Sequence, residues 1–326
     1  MKVYFVTWPN GFFGSAGASW KQLDIELLSK KISSKFEVEV VSINKILSCE
    51  LKKQDIVIYN SSENREMRDY IKDVIYLVSK KANIVPSFDS LMAHESKGFQ
   101  QLFRQEMYFG NLNGQYCVDL DDVHQKEPFV LKLVEGAGSS QVHLIKGNKD
   151  IHSIRRKYFK DSLVRKIKNI IRSTKLNKKQ LDIYLYKYKA FTRIVTQDFI
   201  PGLESDYKVL VFGNKYYVLN RKVKKNDFRA SGSGILNFIE PPMAVLDFAK
   251  SVFFKLDEPY ASLDIAMSNE GCHLIEYQVL NFGPYTLVNS PGFYTENNGD
   301  WKFHKKTSEL ENEFSEALYE HIIDRF

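Results

Sequence analysis

The feature that most constrains this chain is a change in the pattern of its apolar residues. In the first ninety residues, short apolar strands alternate with amphipathic helices, which predicts a parallel sheet with helical crossovers. From about residue 128 the pattern becomes strand-rich, with glycine-containing turns between the strands. The sequence therefore predicts an α/β (α+β) protein in which a parallel-sheet domain precedes a strand-rich region.

Individual elements follow from the same periodicity. Strands are predicted at 2–8, 36–43 and 54–60, and helices at 64–81 and 243–256. The last helix has apolar residues at four-residue spacing, and the preceding Thr307–Ser308 pair predicts its N-cap. Its apolar positions are Leu310, Phe314, Leu318 and Ile322.

Composition excludes several classes of protein. The formal charge of +6 is a mild excess that suits an anionic ligand and does not by itself indicate nucleic acid as a partner. Cys49, Cys117 and Cys272 lack CxxC spacing, which argues against a disulfide framework or a zinc ribbon. No stretch approaches the roughly 18 apolar residues of a membrane span, and the start does not read as a signal peptide. These features predict a cytoplasmic protein, with a homodimer left open.

A glycine-rich turn follows the first strand. Gly11, Gly14 and Gly17 have the spacing GxxGxxG, whereas dinucleotide-binding turns have GxGxxG, and no acidic residue clearly ends the second strand. Two interpretations are open: a loop shaped by glycines, which is favoured, and a dinucleotide site.

The segment 151–180 is strongly basic. It contains eleven Lys and Arg residues and one acidic residue, and its apolar residues recur at helical spacing. It is predicted to be a basic amphipathic helical insert. A solvated helix face, a docking surface for an anionic polymer or lipid headgroups, and a nucleic-acid contact remain as alternatives.

The strand that starts at Cys272 carries Glu276 and Gln278 two residues apart, so both point to one face. If residues 269–271 form a three-residue hairpin loop, Asp264 lies directly opposite Glu276. Opposed carboxylates are destabilising unless a positive charge lies between them, and Mg²⁺ prefers such oxygen ligands. A metal site is therefore one interpretation, and an exposed polar sheet face is the other.

A bound Mg²⁺ suggests a nucleotide, so phosphate ligands are expected elsewhere in the chain. Lys132 ends a predicted strand just before the segment EGAGSS, in which glycines permit close approach of backbone N–H groups to phosphate. Lys97 opens a predicted helix. Arg221 precedes a second glycine–serine loop, and Arg229 lies at its start.

This ordered set of motifs resembles the ATP-grasp superfamily, which includes D-alanine–D-alanine ligase and glutathione synthetase. The resemblance covers roughly residues 90–290. It rests on the spacing of Asp264, Glu276 and Gln278, on Lys132 before the glycine-rich loop, and on the segment 197–202. It implies an N-terminal domain at 1–90 and two ATP-grasp subdomains at 91–200 and 201–326, the first carrying the basic insert.

The resemblance also implies roles for individual residues. Lys97 and Lys132 would contact the phosphates of ATP, and Glu204 its ribose. Asp264, Glu276 and Gln278 would hold one or two Mg²⁺ ions, while Arg229, Arg221 and Lys132 would serve the reaction. The lid over the phosphates would comprise Gly136, Ala137, Gly138, Ser139 and Ser140, and the adenine-binding segment Gln197, Asp198, Phe199 and Ile200.

Two positions depart from the usual family pattern. Gln278 stands where Asn is usual, and Lys208 where Arg is frequent. Lys lacks the bidentate fork of Arg. The activity implied is ligation of a carboxylate to an amine through an acyl phosphate, with a small-molecule kinase and a non-catalytic nucleotide sensor as alternatives.

The substrate is less constrained than the reaction. A uronic-acid sugar of a surface polysaccharide and an amino acid or peptide are both open. The aromatic residues near the predicted site can be read as ordinary packing or as a sugar-stacking platform. These residues are Phe228, Phe282, Tyr285, Phe293 and Tyr294.

Overall fold

The computed structural model describes residues 1–16, 18, 21–109, 112–134, 141–160, 163–225 and 227–326. The chain divides into two compact units. One comprises Met1–Asn111 and Ile200–Phe326, and the other comprises Leu112–Phe199.

The strands, in chain order, are β1 (Lys2–Thr7), β2 (Glu37–Ser42), β3 (Ile56–Tyr59), β4 (Asn83–Val85), β5 (Tyr116–Cys117), β6 (Phe129–Leu133), β7 (Val142–Ile145), β8 (Ile194–Asp198), β9 (Ser205–Phe212), β10 (Lys215–Lys222), β11 (Leu236–Asn237), β12 (Tyr260–Ser268), β13 (Gly271–Gln278), β14 (Phe293–Asn297) and β15 (Asp300–His304). The α-helices are α1 (Ile25–Ile32), α2 (Arg65–Ser79), α3 (Phe88–Ala93), α4 (Lys97–Met107), α5 (Asn148–Tyr158), α6 (Leu163–Ser173), α7 (Lys178–Lys187), α8 (Met243–Leu256), α9 (Tyr285–Asn289) and α10 (Leu310–Arg325). Short 3₁₀ helices cover Ile46–Ser48 and Leu120–Asp122.

The first unit contains two sheets. The N-terminal sheet has the order β2-β1-β3-β4, with every neighbouring pair parallel. The second sheet has the order β13-β12-β9-β10-β14-β15, with β11 added beside β10, and its pairs are antiparallel. The predicted fold class, a parallel α/β sheet followed by a strand-rich region, is confirmed.

The turn after β1 shows why glycine is present there. Gly14 has a φ of +72°, and a Cβ at this position would lie 2.3 Å from Nδ2 of Asn60. Backbone conformation and close packing therefore both favour glycine. Gly17 lies outside the described residues.

The second unit is built on the antiparallel sheet β5-β8-β6-β7. Its small apolar core includes Phe129, Leu131, Ile145 and Ile194. The predicted basic insert is helical and covers part of α5, all of α6 and the start of α7. Among the helices of the described ranges, none is long and apolar enough to cross a lipid bilayer.

One helix start differs from its prediction. The N-cap of α10 is Glu309, whose side chain makes no capping hydrogen bond, and the predicted Thr307–Ser308 cap is wrong. Ser308 instead accepts a 2.7 Å hydrogen bond from the buried hydroxyl of Tyr217. A buried phenol hydroxyl needs a hydrogen-bond partner, and Ser308 provides it for Tyr217 without capping the helix.

Candidate active site

The hairpin of β12 and β13 brings the two predicted metal-binding carboxylates together. Asp264 pairs with Glu276, and Ser262 pairs with Gln278, so Glu276 and Gln278 follow each other along one face. Directly opposed residues of an antiparallel pair have Cβ atoms about 5 Å apart. This pairing is the one that the sequence predicts.

The predicted three-residue loop that led to this pairing is wrong. Ser268 pairs with Gly271, so the turn has two residues, Asn269 and Glu270. The register then shifts between Asp264 and Ile265, because Ile275 forms a bulge on β13. The bulge restores the pairing of Asp264 with Glu276, and it places Leu274 opposite Ile265 in the core, where Ile275 was predicted.

Arg104 of α4 stabilises this bulge. Its Nη2 donates a 2.9 Å hydrogen bond to the carbonyl oxygen of Ile275, and the side chain is buried. Burial lowers the pKa of this guanidinium to about 10. Arg104 thus fixes the residue that precedes Glu276. Sequence reasoning missed it, because only the fold brings α4 against β13.

Asp264 is neutralised by cations of the neighbouring strands. Lys208 of β9 lies 3.3 Å from its Oδ1, and Nη2 of Arg221 in β10 lies 2.9 Å from its Oδ2. Burial opposes ionisation of Asp264, but the two cations outweigh it and lower the pKa to about 2. Asp264 is therefore a carboxylate whose charge is already balanced.

Arg221 also holds a second buried carboxylate. Its Nε and Nη2 donate to the two carboxylate oxygens of Asp206 at 2.6 and 2.7 Å, a bidentate pair between directly opposed residues of β9 and β10. Burial still raises the pKa of Asp206 to about 6. Arg221, predicted as a catalytic residue, is thus placed as the cation shared by Asp206 and Asp264.

Glu276 has a different environment. It is half-buried, and it has no ion pair within the ranges that the structure describes. Those ranges also hold no group of three His, Cys, Asp or Glu side chains spaced for a metal ion. The ligands predicted for a metal are Asp264, Glu276 and the Gln278 amide, of which only two are carboxylates. Carboxylate and amide oxygens fit the preference of Mg²⁺ for hard ligands.

A further acidic residue, Glu95, interacts electrostatically with Glu276. Glu95 has a left-handed backbone with a φ of +51°, which is uncommon for a residue other than glycine. Burial raises the pKa of its carboxyl group, which also interacts with Lys97. Lys97, the predicted phosphate ligand, is the first residue of α4. Nothing in the sequence distinguishes Glu95 from an ordinary loop acid.

Arg229 is held by its own loop. Its Nε and Nη2 each lie 2.9 Å from the carboxylate of Asp227, two residues earlier. The Arg229 guanidinium lowers the pKa of that carboxyl group to about 2. Arg229 is half-buried, so an incoming anion would have to compete with Asp227 for its guanidinium.

The second unit brings two predicted nucleotide residues together. Lys132 in β6 is buried, and its Nζ donates a 2.6 Å hydrogen bond to Oε1 of Gln197 in β8. The Asp198 carboxylate accepts hydrogen bonds from Asn113 and Gln125, which ties the end of β8 to the loop around residue 113. Lys132 is therefore fixed by a side chain of the segment predicted to hold adenine.

The paired residues above do not include the rest of the predicted nucleotide-binding residues. Phe199 ends the second unit and Ile200 begins the next stretch of the first. Glu204 is exposed just before β9, and its carbonyl accepts a 2.8 Å hydrogen bond from the N–H of Val223. The predicted lid residues lie outside the described residues; they are Gly136, Ala137, Gly138, Ser139 and Ser140.

Comparison with known proteins gives no match to a family model and none to a curated protein sequence. Solved structures do match. D-cycloserine synthetase is 10% identical and aligns over 99% of this chain and 100% of its own, with a TM-score of 0.55.

Two other solved structures share this similarity. The ATP-grasp ligase PsnB, in complex with a minimal precursor, is 12% identical over 98% of this chain and 99% of its own, with a TM-score of 0.53. D-alanine–D-alanine ligase from Bacillus anthracis, in complex with ATP, is 11% identical over 99% and 98%, with a TM-score of 0.51. This chain therefore shares its fold with these solved structures, one of which is an ATP-grasp ligase.

Proposed function

We propose that this chain is an ATP-dependent ligase that joins a carboxylate to an amine. The observation that carries the proposal is the opposed pair Asp264 and Glu276, of which only Asp264 has ion pairs among the described residues. An opposed carboxylate without a cation is unfavourable on a sheet, and a metal ion between the strands removes the repulsion. The ATP-grasp fold supports ATP as the phosphate donor.

Mg²⁺ would be held by Asp264, Glu276 and the amide oxygen of Gln278. When bound, it supplies positive charge that neutralises phosphate oxygens. Lys132 and Lys97 donate hydrogen bonds to those oxygens, and Gln197 keeps the Lys132 ammonium in position. Residues 197–200 would hold adenine through the backbone, and Glu204 would hold the ribose.

The chemistry requires positioning and charge neutralisation and no nucleophile from the protein. A carboxylate oxygen of the substrate attacks the γ-phosphorus, the bond to ADP breaks, and an acyl phosphate forms. The amine then attacks the acyl carbon, phosphate leaves and the amine loses a proton. Arg229 stabilises the negative charge of the acyl phosphate, and Arg221 acts through Asp264 by fixing its orientation.

We propose an amino acid or peptide as the carboxylate substrate, with a uronic-acid sugar as the second candidate. Among the aromatic residues predicted near the site, Phe282 and Phe293 are buried in the core, which leaves less surface for stacking a sugar. One structural neighbour is a D-alanine–D-alanine ligase, which supports the first class.

The test is release of ADP from Mg-ATP with a panel of carboxylic acids, each with and without a panel of amines. Amino acids, dipeptides and uronic acids form the first panel. A ligase releases ADP in proportion to an amide product that mass spectrometry identifies. ADP release that needs no amine and yields a stable phosphoester identifies a kinase. Tight ATP binding with no ADP release under any pair identifies a sensor.

A further inference from the structure

Helix α6 exposes its apolar side. Val164, Ile167 and Ile171 recur at helical spacing, and Ile170 completes the same face. The exposed fractions of these four residues are 62, 51, 50 and 66%, in that order. A surface helix of a water-soluble domain normally turns such a face toward the core.

The least exposed side chains of α6 are polar. Arg165 and Asn169 are only partly exposed, while the branched aliphatic residues beside them are exposed. Oδ1 of Asn169 is buried and accepts no hydrogen bond from any residue that the structure describes. The helix is therefore oriented opposite to the arrangement that its own amphipathicity favours in water.

The charge around this face is strongly positive. Residues 151–180 carry eleven Lys and Arg residues and one acidic residue, a net charge of +10, whereas the whole chain carries +6. The rest of the chain is therefore net negative, at −4. On a helical projection, Lys166 and Lys168 flank the two edges of the apolar face, and both are exposed.

Helix α7 extends the same kind of surface. Ile183 and Tyr186 are 60 and 67% exposed, and the Arg172 guanidinium of α6 lies 5.8 Å from the centre of the Tyr184 ring of α7. Exposed aliphatic side chains, aromatic rings and lysines occur together on helices that bind membrane surfaces. The apolar groups lie at the acyl-chain boundary and the lysines at the headgroups.

We propose that α6 docks on an anionic lipid surface, with its four aliphatic residues among the acyl chains and its lysines at the headgroups. An anionic polymer would match the charge but would leave Val164, Ile167, Ile170 and Ile171 in water. An anionic lipid surface would bury the aliphatic side chains and also attract the positive charge. The docking is peripheral, and it requires no membrane-spanning segment.

The test is co-sedimentation of the full chain with vesicles of phosphatidylcholine alone or of equal parts phosphatidylcholine and phosphatidylglycerol. We expect binding to the anionic vesicles only, weakened by salt. The double variant Ile167→Ser/Ile171→Ser should lower the partition coefficient about tenfold, because less apolar area is buried. Lys166→Gln/Lys168→Gln should lower it roughly thirtyfold, at about fivefold for each charge near the surface.

Two matched controls change exposed residues of the first unit. Lys305→Gln/Lys306→Gln removes the same charge, and Phe254→Ser removes an apolar side chain that is 85% exposed. Both should bind vesicles as the wild type does. Circular dichroism checks that every variant is folded.

Three results would overturn the proposal. The first is equal binding to neutral and anionic vesicles, or binding to neither. The second is equal weakening by the Lys305/Lys306 control, which would indicate nonspecific attraction. The third is that the wild type does not bind vesicles but forms a dimer, which Ile167→Ser/Ile171→Ser converts to a monomer. Binding to dextran sulfate that the same isoleucine changes leave unaltered would also count against the proposal. These last outcomes assign the face to a second copy of the chain or to an anionic polymer.

Discussion

Two carboxylates that face each other on β12 and β13, Asp264 and Glu276, differ in their ion pairs. Asp264 is held by Lys208 and Arg221, and its charge is balanced within the sheet. Glu276, on the strand at the end of that sheet, has no ion pair among the described residues. In the proposed site, β12 would therefore contribute a carboxylate whose charge is balanced by the chain, and β13 a carboxylate that a bound cation would balance.

Replacing Glu276 by Gln should affect turnover most. We expect ADP release to fall by about 10³-fold or more, since a metal ligand and its charge are lost. The free energy of unfolding should change by less than about 1 kcal/mol, because no ion pair is broken. Steady-state ADP release and urea unfolding of the same variant measure the two effects. A loss of stability as large as the loss of turnover would contradict the distinction between the two carboxylates.

Replacing Arg221 by Met should act on stability instead. Asp206 and Asp264 would then be buried without their shared cation, which costs about 3–5 kcal/mol. Urea unfolding measures this loss. The double variant Asp206→Asn/Arg221→Met should recover part of it, because one uncompensated charge is removed. A single variant as stable as the wild type would show that the network is not structural.

Glu258 is a third kind of carboxylate, buried and without an ion pair among the described residues. It accepts hydrogen bonds from the N–H of Ser87 and the hydroxyl of Ser90, and burial raises its pKa from 4.5 to about 7. A raised pKa in the folded state contributes stability that is complete below about pH 4.5 and is lost as the pH rises through about 7. The loss is on the order of 3 kcal/mol.

The variant Glu258→Gln keeps the acceptor oxygen and cannot ionise, so it should lack the part of the fall in stability that comes from Glu258. Burial also raises the pKa of Asp206, to about 6, with the same sign. Asp206 is present in both proteins, so the difference in unfolding free energy between wild type and variant, followed from pH 4 to 8, isolates Glu258. Parallel curves for the two proteins would mean that Glu258 ionises normally.

Arg229 offers the smallest expected effect, on the reaction and not on the fold. Arg229→Lys keeps the charge but loses the planar fork, so kcat should fall on the order of 10²-fold while ATP affinity changes little. Equilibrium binding of ATP and kcat should be measured on the same variant. A parallel loss of both would place Arg229 with the nucleotide, and no loss of either would make the loop structural.

Local features of this fold could be predicted from the sequence, whereas contacts between distant elements could not. Helix α8 has the predicted bounds because its apolar run is continuous. The pairing of Asp264 with Glu276 was predicted from a wrong turn, and the bulge at Ile275 compensates for the error. That bulge depends on Arg104, 171 residues away in sequence. The Arg221 network likewise needs the register of β9 and β10, which sequence alone does not provide.

The central claim is that Asp264 and Glu276 hold a divalent cation for the nucleotide. Mn²⁺ can replace Mg²⁺ in such oxygen sites and is detected by electron paramagnetic resonance. The measurement is titration of Mn²⁺ with a non-hydrolysable ATP analogue, on the wild type, on Glu276→Gln and on Glu270→Gln, an exposed acid of the same hairpin turn. We predict nucleotide-dependent Mn²⁺ binding by the wild type and Glu270→Gln, and its loss in Glu276→Gln. Equal Mn²⁺ affinity in all three proteins would contradict the account.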